Sequence, residues 1–150
     1  MKKAFTMMEL IFVIVIIGIL ASVAILKLNA IRDDALIAKN SEYIMGIMTE
    51  ISTYIISRGE SKDDLSEMSP LLTTLKSHGR VIIDTVNKSA KVKISDDINC
   101  IVIDMGSTET TELLKTVFTA TPTNRICKMV QNFIKEKDYP LVVRGRLIKY

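Results

Sequence analysis

The feature that most constrains this chain is an apolar run close to its start. Phe5 to Leu26 is a stretch of 22 residues with a single charged side chain, Glu9. A helix rises about 1.5 Å per residue, so about 20 apolar residues cross the roughly 30 Å hydrocarbon core of a bilayer. The sequence therefore predicts a transmembrane helix half over residues 5–26.

The helical pattern continues beyond this run. Apolar residues recur with helical spacing along one stripe of residues 27–58, namely Ile37, Ile44, Ile47, Met48, Ile51 and Ile55. The opposite side carries polar residues, namely Arg32, Asp33, Lys39, Asn40, Glu42 and Glu50. No proline interrupts Phe5 to Arg58, and Gly59 is a suitable stop. We therefore predict one helix of about 54 residues whose second half, residues 27–58, is amphipathic.

A secretory signal peptide is the simplest alternative explanation for Lys2 and Lys3 followed by an apolar run. Three details argue against it. The apolar segment is longer than a typical signal core, no Ala-x-Ala site follows it, and the carboxylate of Glu9 lies near its start.

The residues around that carboxylate carry a more specific pattern. Lys2-Lys3-Ala4-Phe5-Thr6-Met7-Met8-Glu9-Leu10 resembles the class III signal of type IV pilins and type II secretion pseudopilins, and Ile16-Ile17-Gly18-Ile19-Leu20-Ala21 resembles its usual continuation. The chain departs from the family pattern at Ala4, where glycine is usual, and at Leu26, where many members have proline. The likeness covers residues 2–26.

This resemblance implies how the N-terminus is processed. In the family a prepilin peptidase cuts after a small residue and methylates the new N-terminal residue. Carried over to this chain, residues 1–4 are a leader peptide, cleavage falls between Ala4 and Phe5, and Phe5 is N-methylated.

The resemblance also implies an assembly role for Glu9. A lone carboxylate in hydrocarbon costs on the order of 2 to 3 kcal/mol or more, so it is expected to be protonated, paired or functional. The family pairs this glutamate with the new α-amino group, here that of Phe5, as a subunit docks into the growing fibre. The alternative is an interfacial glutamate whose side chain reaches the lipid headgroups.

Residues 59–150 are expected to form one small periplasmic α+β domain. We predict a short helical turn beginning at 61–64 and a helix that starts at Ser69-Pro70 and stops at Gly79. Residues 81–86, 90–94 and 98–105 are predicted to form three strands of an antiparallel meander, and the first two are read as a hairpin.

The last third of the chain is predicted to return to helix and then to strand. Leu113, Leu114, Val117 and Phe118 suggest a short helix, and the apolar spacing from Ile126 to Ile134 indicates a second one. Residues 141–150 are read as a final strand with a bend at Gly145. The predicted fold class is thus α+β and pilin-like: a long N-terminal helix packed on a small antiparallel sheet with short helices.

The cysteines are Cys100 and Cys127. If Lys2 and Lys3 stay in the cytoplasm by the positive-inside rule, everything after Lys27 faces the oxidising periplasm. Cys127 is predicted to share a helix side with other apolar residues and to reach Cys100 on the third strand. A Cys100–Cys127 disulfide is the preferred interpretation, and two free buried thiols are the alternative.

Residues for catalysis or metal binding are scarce. His78 is the one histidine and lies at a predicted helix end, where we expect it to be solvated or to cap the helix. Asp96, Asp97 and Asp104 do not form a compact run of oxygen ligands and are interpreted as solvated. We therefore predict no catalytic residues, no metal site and no cofactor, and not an enzyme.

Together these features predict a structural subunit that polymerises into a pilus or pseudopilus after processing, with type II secretion preferred. A type IV pilus or competence (DNA-uptake) pilin is one alternative, and a membrane-anchored periplasmic enzyme or sensor is the alternative of another class. The net charge of +3 falls to +1 without Lys2 and Lys3, since 18 basic and 17 acidic residues remain, so copies can pack without strong repulsion.

The resemblance also implies partners and a location. The partners are copies of the chain and other pilin-like subunits, the prepilin peptidase, an inner-membrane platform protein with an assembly ATPase, and membrane lipid. Nucleic acid is a partner only for a competence pilin. The expected location is the bacterial inner membrane, crossed once with the N-terminus cytoplasmic and the globular domain periplasmic, or an extracellular fibre.

Overall fold

The computed structural model describes residues 5–94, 97–107, 111–118, 122, 124–135 and 141–145. The predicted leader, residues 1–4, lies outside the described residues, as do Asp96 and the end of the predicted last strand, residues 146–150. The chain divides into two compact units, Met1–Leu36 and Ile37–Tyr150. The predicted boundaries between leader, transmembrane half, amphipathic half and globular domain, after residues 4, 26 and 58, stay predictions.

The first element is helix α1, which covers Met7–Arg58 and contributes residues to both units. This confirms the long N-terminal helix that the uninterrupted pattern predicts. Within the first unit, every described residue from Phe5 to Arg32 is exposed, so the apolar run has no apolar cover from the chain itself. Residues 37–58, in the second unit, include buried side chains.

The amphipathic stripe of α1 is the centre of the core in the second unit. Its apolar residues Ile44, Ile47, Met48, Ile51 and Ile55 are at most 1% exposed, as their spacing predicts. They share one hydrophobic cluster with residues from the sheet and the shorter helices. Fully burying a side chain of this size contributes roughly 1.5 to 3 kcal/mol, so this stripe makes a large contribution to the stability of the unit.

Two residues assigned to the polar side of α1 are not simple solvent-facing residues. Asn40 is buried, and its side-chain oxygen accepts a hydrogen bond from the Arg80 guanidinium at 3.1 Å. Glu50 is half-buried, and its carboxylate accepts from the Ser69 hydroxyl at 2.5 Å and from the Leu71 amide at 3.1 Å. Later segments of the chain therefore pack against part of the polar side of the helix.

The Glu50 carboxylate helps to start the next helix. Helix α2 covers Pro70–Ser77 and begins as predicted, with Ser69 as its N-cap accepting from the Leu72 amide at 3.1 Å. Gly79, with φ of 67°, follows its end as predicted. The predicted short helical turn that begins at 61–64 is a 3₁₀ turn at Leu65–Glu67, with Asp64 as its N-cap. Hydrogen bonding from the Ser66 hydroxyl lowers the pKa of Asp64.

The sheet is a five-stranded antiparallel meander in the order β1-β2-β3-β4-β5. Its strands are β1 Val81–Asp84, β2 Ser89–Ile94, β3 Asp97–Ser107, β4 Thr111–Phe118 and β5 Leu141–Gly145. The predicted β1–β2 hairpin is confirmed, with Val81 opposite Val92 and Ile83 opposite Ala90. The inward residues of β2 and β3, such as Ala90 and Ile103, are fully buried.

The predicted helix at residues 113–118 is wrong, because this segment is strand β4. It pairs with β3 from Ile101 opposite Phe118 to Ser107 opposite Glu112. Leu114 and Thr116 are buried while Val117 is exposed, which is the alternation of a strand. The spacing of its apolar residues also fits one side of a helix, and pairing with the exposed edge of β3 decides between the two.

Helix α3 covers Arg125–Ile134, as its spacing predicts. Asn124 caps it by accepting from the Ile126 amide at 2.8 Å. Its inner side carries Cys127, Val130 and Ile134, which are all buried. The fold class is therefore α+β, with a long N-terminal helix followed by short helices and an antiparallel sheet.

A disulfide joins Cys100 on β3 to Cys127 on α3, with 5.7 Å between the two Cα atoms. The predicted pairing is confirmed, and both residues are fully buried. The Gln131 side-chain amide also donates to the Cys100 carbonyl at 2.8 Å. Helix α3 is thus fixed to the sheet by one covalent bond and one hydrogen bond close to it.

We predict that the double variant Cys100→Ala/Cys127→Ala unfolds at a lower temperature than the parent by about 10 °C or more. Closing a loop of this size stabilises a domain by about 3 to 4 kcal/mol on the chain-entropy model, and each kcal/mol shifts the melting temperature of a small domain by about 4 to 8 °C. Thermal unfolding followed by circular dichroism measures the difference.

A reductant provides the matched control. It should lower the melting temperature of the parent towards that of the double variant and leave the variant unchanged. Thiol labelling of the unreduced parent should find no reactive thiol. Two labelled cysteines in the folded, unreduced protein would contradict the pairing.

Candidate functional site

The N-terminal end of α1 is the place where polar groups meet the apolar run. The Glu9 carboxylate accepts hydrogen bonds from the Thr6 amide at 3.0 Å and from the Thr6 hydroxyl at 3.0 Å. In return the Thr6 hydroxyl accepts from the Glu9 amide at 3.3 Å. This reciprocal arrangement is a capping box, in which two side chains satisfy amides that the first turn of a helix leaves without partners.

Sequence reasoning missed the part played by Thr6. The signal was present, because a threonine followed three residues later by a glutamate, before an apolar run, is the pattern of a capping box. The box gives Glu9 a structural role that does not depend on assembly. It also fixes where the carboxylate lies, since both hydrogen bonds hold it against the first turn of α1.

That position places Glu9 close to the backbone nitrogen of Phe5. Successive backbone nitrogens are separated by about 3 to 4 Å, so the carboxylate oxygen that lies 3.0 Å from the Thr6 nitrogen is within about 7 Å of the Phe5 nitrogen. A positive charge created at Phe5 would therefore be near enough to form an ion pair after a small adjustment. Phe5 itself is 71% exposed, and Ala4 lies outside the described residues.

The surface behind this end is apolar on all sides. Large exposed apolar side chains continue from Leu10 to Leu26, interrupted by glycine, alanine and serine, and Lys27 is the first charged residue after them. By length and composition, α1 is the one helix among the described residues that could cross a membrane. The side chain of Ser22 does not oppose this, since its hydroxyl donates to the Ile19 carbonyl of the same helix at 2.7 Å.

The described part of the second unit offers little for chemistry. His78 is exposed at the end of α2, and its Nδ1 lies 2.6 Å from the Thr74 carbonyl, which is the capping position predicted for it. Asp104 forms an ion pair with Lys115 at 3.0 Å. No group of three or more His, Cys, Asp or Glu side chains among the described residues could hold a metal ion. The expectations of no metal, no cofactor and no catalysis stay predictions.

A shallow groove runs beside α1 in the second unit. Gly46, Glu50 and Tyr54 of α1 line one side of it, and Met68 and Pro70 lie on the other. A methyl group on Gly46 would lie 3.1 Å from the Leu71 side chain, so glycine allows α2 to approach closely. The Glu50 carboxylate in this groove already holds the start of α2, which explains its presence without a ligand.

Models of known families, curated proteins and solved structures were compared with the chain, and none of them matches it.

Proposed function

We propose that this chain is a pilin-like structural subunit that is cut between Ala4 and Phe5 and then polymerises through its N-terminal helix. The observation that supports this most strongly is the position of Glu9 at the start of an exposed apolar helix. It follows a basic leader and a sequence that resembles a prepilin peptidase cleavage site. Each of these features is common alone. Their combination at this spacing is the pattern of a prepilin.

The exposed apolar surface of α1 fits a helix that lies in lipid in the single subunit and among other helices in a fibre. Each large apolar side chain is worth about 1.5 to 3 kcal/mol when it leaves water, so the stretch from Leu10 to Leu26 amounts to tens of kcal/mol. Lipid satisfies this requirement for a single subunit. Packing among the same helices of other subunits satisfies it equally in a fibre, so transfer between the two costs little apolar solvation.

Glu9 supplies a preference for the fibre. In the bilayer it is a cost, which the capping box with Thr6 reduces but does not remove. In a fibre core it meets the amine of Phe5, its own or that of a neighbour, where a low dielectric constant strengthens the attraction. The competing explanation is a carboxylate that reaches the headgroups and only caps α1.

The proposed setting is the bacterial inner membrane. The helix crosses it once, with Lys2 and Lys3 in the cytoplasm and the second unit in the periplasm. The periplasm is oxidising, so the Cys100–Cys127 disulfide is stable there. The partners we propose are a prepilin peptidase, a platform protein with its ATPase, and other pilin-like subunits.

We place the subunit in type II secretion, with a type IV pilus or competence system as the alternative, and nucleic acid is a partner only in a competence system. A membrane-anchored periplasmic enzyme or sensor is the alternative of another class, and it would keep an uncut N-terminus.

We predict that expression with a prepilin peptidase yields a mature chain of 146 residues, since removal of 4 residues from 150 leaves Phe5 as the first. Phe5 should carry an added methyl group. Intact-mass measurement of the purified chain checks both changes at once.

Two variants at residue 4 serve as controls for this measurement. Ala4→Gly restores the residue that is usual in the family and should be cut at least as completely as the parent. Ala4→Leu should leave the precursor uncut in the membrane. An unprocessed parent chain, or a cut near Lys27 as for a secretory signal peptide, would overturn the pilin proposal.

We predict that Glu9→Gln and Glu9→Leu are both inserted and cut but fail to assemble. Glutamine retains the carbonyl oxygen that a capping box needs, whereas leucine loses both the cap and the charge. If the charge is what matters for assembly, the two variants should fail alike. Crosslinking and shearing of fibres measure assembly, and the mass of the mature chain measures cleavage.

The comparison of the two variants separates the roles of Glu9. Assembly by Glu9→Gln with failure of Glu9→Leu would assign Glu9 to helix capping alone. Normal fibres from Glu9→Leu would remove any assembly role for this carboxylate.

A further inference from the structure

Two cations of the second unit gather around one tyrosine ring. The Arg80 Cζ lies 5.9 Å from the centre of the Tyr43 ring, and the Lys39 Nζ lies 5.7 Å from the same centre. The face of an aromatic ring attracts cations, which explains why both side chains are there. Two positive charges at one ring repel each other, so a negative group beside them would be stabilising. We define Lys39, Tyr43 and Arg80 as the Tyr43 cluster.

The guanidinium of Arg80 is held in place by its surroundings. Its Nη2 donates to the side-chain oxygen of Asn40 at 3.1 Å, and Asn40 is only 4% exposed. The Arg80 backbone amide donates to the Leu75 carbonyl at 2.9 Å, and the Arg80 carbonyl accepts from the Lys93 amide at 2.8 Å. The side chain itself is half-buried. A cation fixed in this way loses little conformational entropy when it binds a ligand.

The charge of the Tyr43 cluster has no carboxylate partner among the described residues. The ion pairs in that part of the chain involve other cations, namely Lys62, Lys76, Lys88 and Lys115. Glu42 lies one helical turn from Lys39 on α1, but it is exposed and forms no ion pair with it. A guanidinium has five N–H donors, and in Arg80 the bond to Asn40 uses one of them.

We propose that the Tyr43 cluster binds an oxyanion, a carboxylate or phosphate group, through the Arg80 guanidinium and the Lys39 ammonium. A planar guanidinium can donate two parallel hydrogen bonds to two oxygens of such a group, and the ammonium adds a point charge. The oxygens come from a free anion such as inorganic phosphate, or from a carboxylate of a second copy of the chain. The whole cluster belongs to the second unit, so the inference depends neither on cleavage after Ala4 nor on assembly.

Nitrogen-15 NMR of the arginine side chains tests the proposal in the full chain. The protein is kept in a non-ionic detergent and a phosphate-free buffer, so that no other oxyanion competes. The Nε–H signal of Arg80 is assigned by its loss in Arg80→Lys. Sodium phosphate is then titrated against sodium chloride of the same ionic strength. We expect the Arg80 signal to shift with phosphate until it saturates, and to stay in place with chloride.

The chain contains a matched control for this titration. The Arg58 Cζ lies 5.8 Å from the centre of the Tyr54 ring, and among the described residues no second cation lies over that ring, so its signal should not shift. Lys39 is exposed, and Lys39→Gln should weaken phosphate binding about fivefold, because a unit charge about 4 Å away contributes about that factor in water. Asn40→Asp offers Arg80 a carboxylate from within the chain and should abolish saturable binding.

The dependence on protein concentration identifies the source of the oxygens. A shift of the Arg80 signal that grows with the concentration of the chain without phosphate, and that phosphate then competes with, would assign the site to a carboxylate of a second copy. Saturation by phosphate without that dependence would assign it to a free oxyanion.

Two results would overturn the proposal. One is the lack of a saturable shift of the Arg80 signal with phosphate. The other is an equal shift of the Arg58 signal, which would show a general response to ions. The intact mass of the mature chain reports separately on cleavage, so failure of this site is distinguished from failure of the proposed function.

Discussion

The two parts of helix α1 differ in burial, and the rest of the structure depends on this difference. The first part carries an apolar surface that is exposed in the described residues. Residues 5–32 are exposed throughout, and most of their large side chains are apolar. From Ile44 onwards the same helix buries a single stripe against the sheet and the shorter helices. The second unit thus buries a core of its own, whereas the apolar surface of the first is of the kind that lipid or other helices cover.

At the start of α1, Glu9 has a local structural role, to which our proposal adds a role in assembly. The bonds between Glu9 and Thr6 satisfy amides at the start of the helix, and they keep the carboxylate beside the nitrogen of Phe5. A helix start also favours negative charge through its dipole. If the chain is cut after Ala4 as proposed, the same geometry already holds the acceptor for a new amine in place, and the ion pair would need no large rearrangement of this turn.

Much of the fold followed from local patterns in the sequence, and the errors have physical causes. The isoleucine stripe of α1, the Ser69-Pro70 start of α2 and the spacing of α3 are signals contained within one element, and each was predicted correctly. Strand β4 was wrongly predicted to be a helix, because the spacing of its apolar residues fits a helix as well as a strand. Pairing with β3 decides between the two structures. The partners of Asn40 and Glu50 could not be predicted, because Arg80 and Ser69 lie far along the chain.

The central claim, that the exposed surface of α1 is covered by other subunits, can be tested where that surface lies. A photo-crosslinking amino acid at Leu10, which is 54% exposed, reports in cells on whatever packs against the first turns of the helix. With the peptidase and the assembly machinery present, we expect a ladder of crosslinked species at regular multiples of the subunit mass, and no ladder without cleavage. Crosslinks to lipid alone, in cells that cut the leader normally, would contradict the claim.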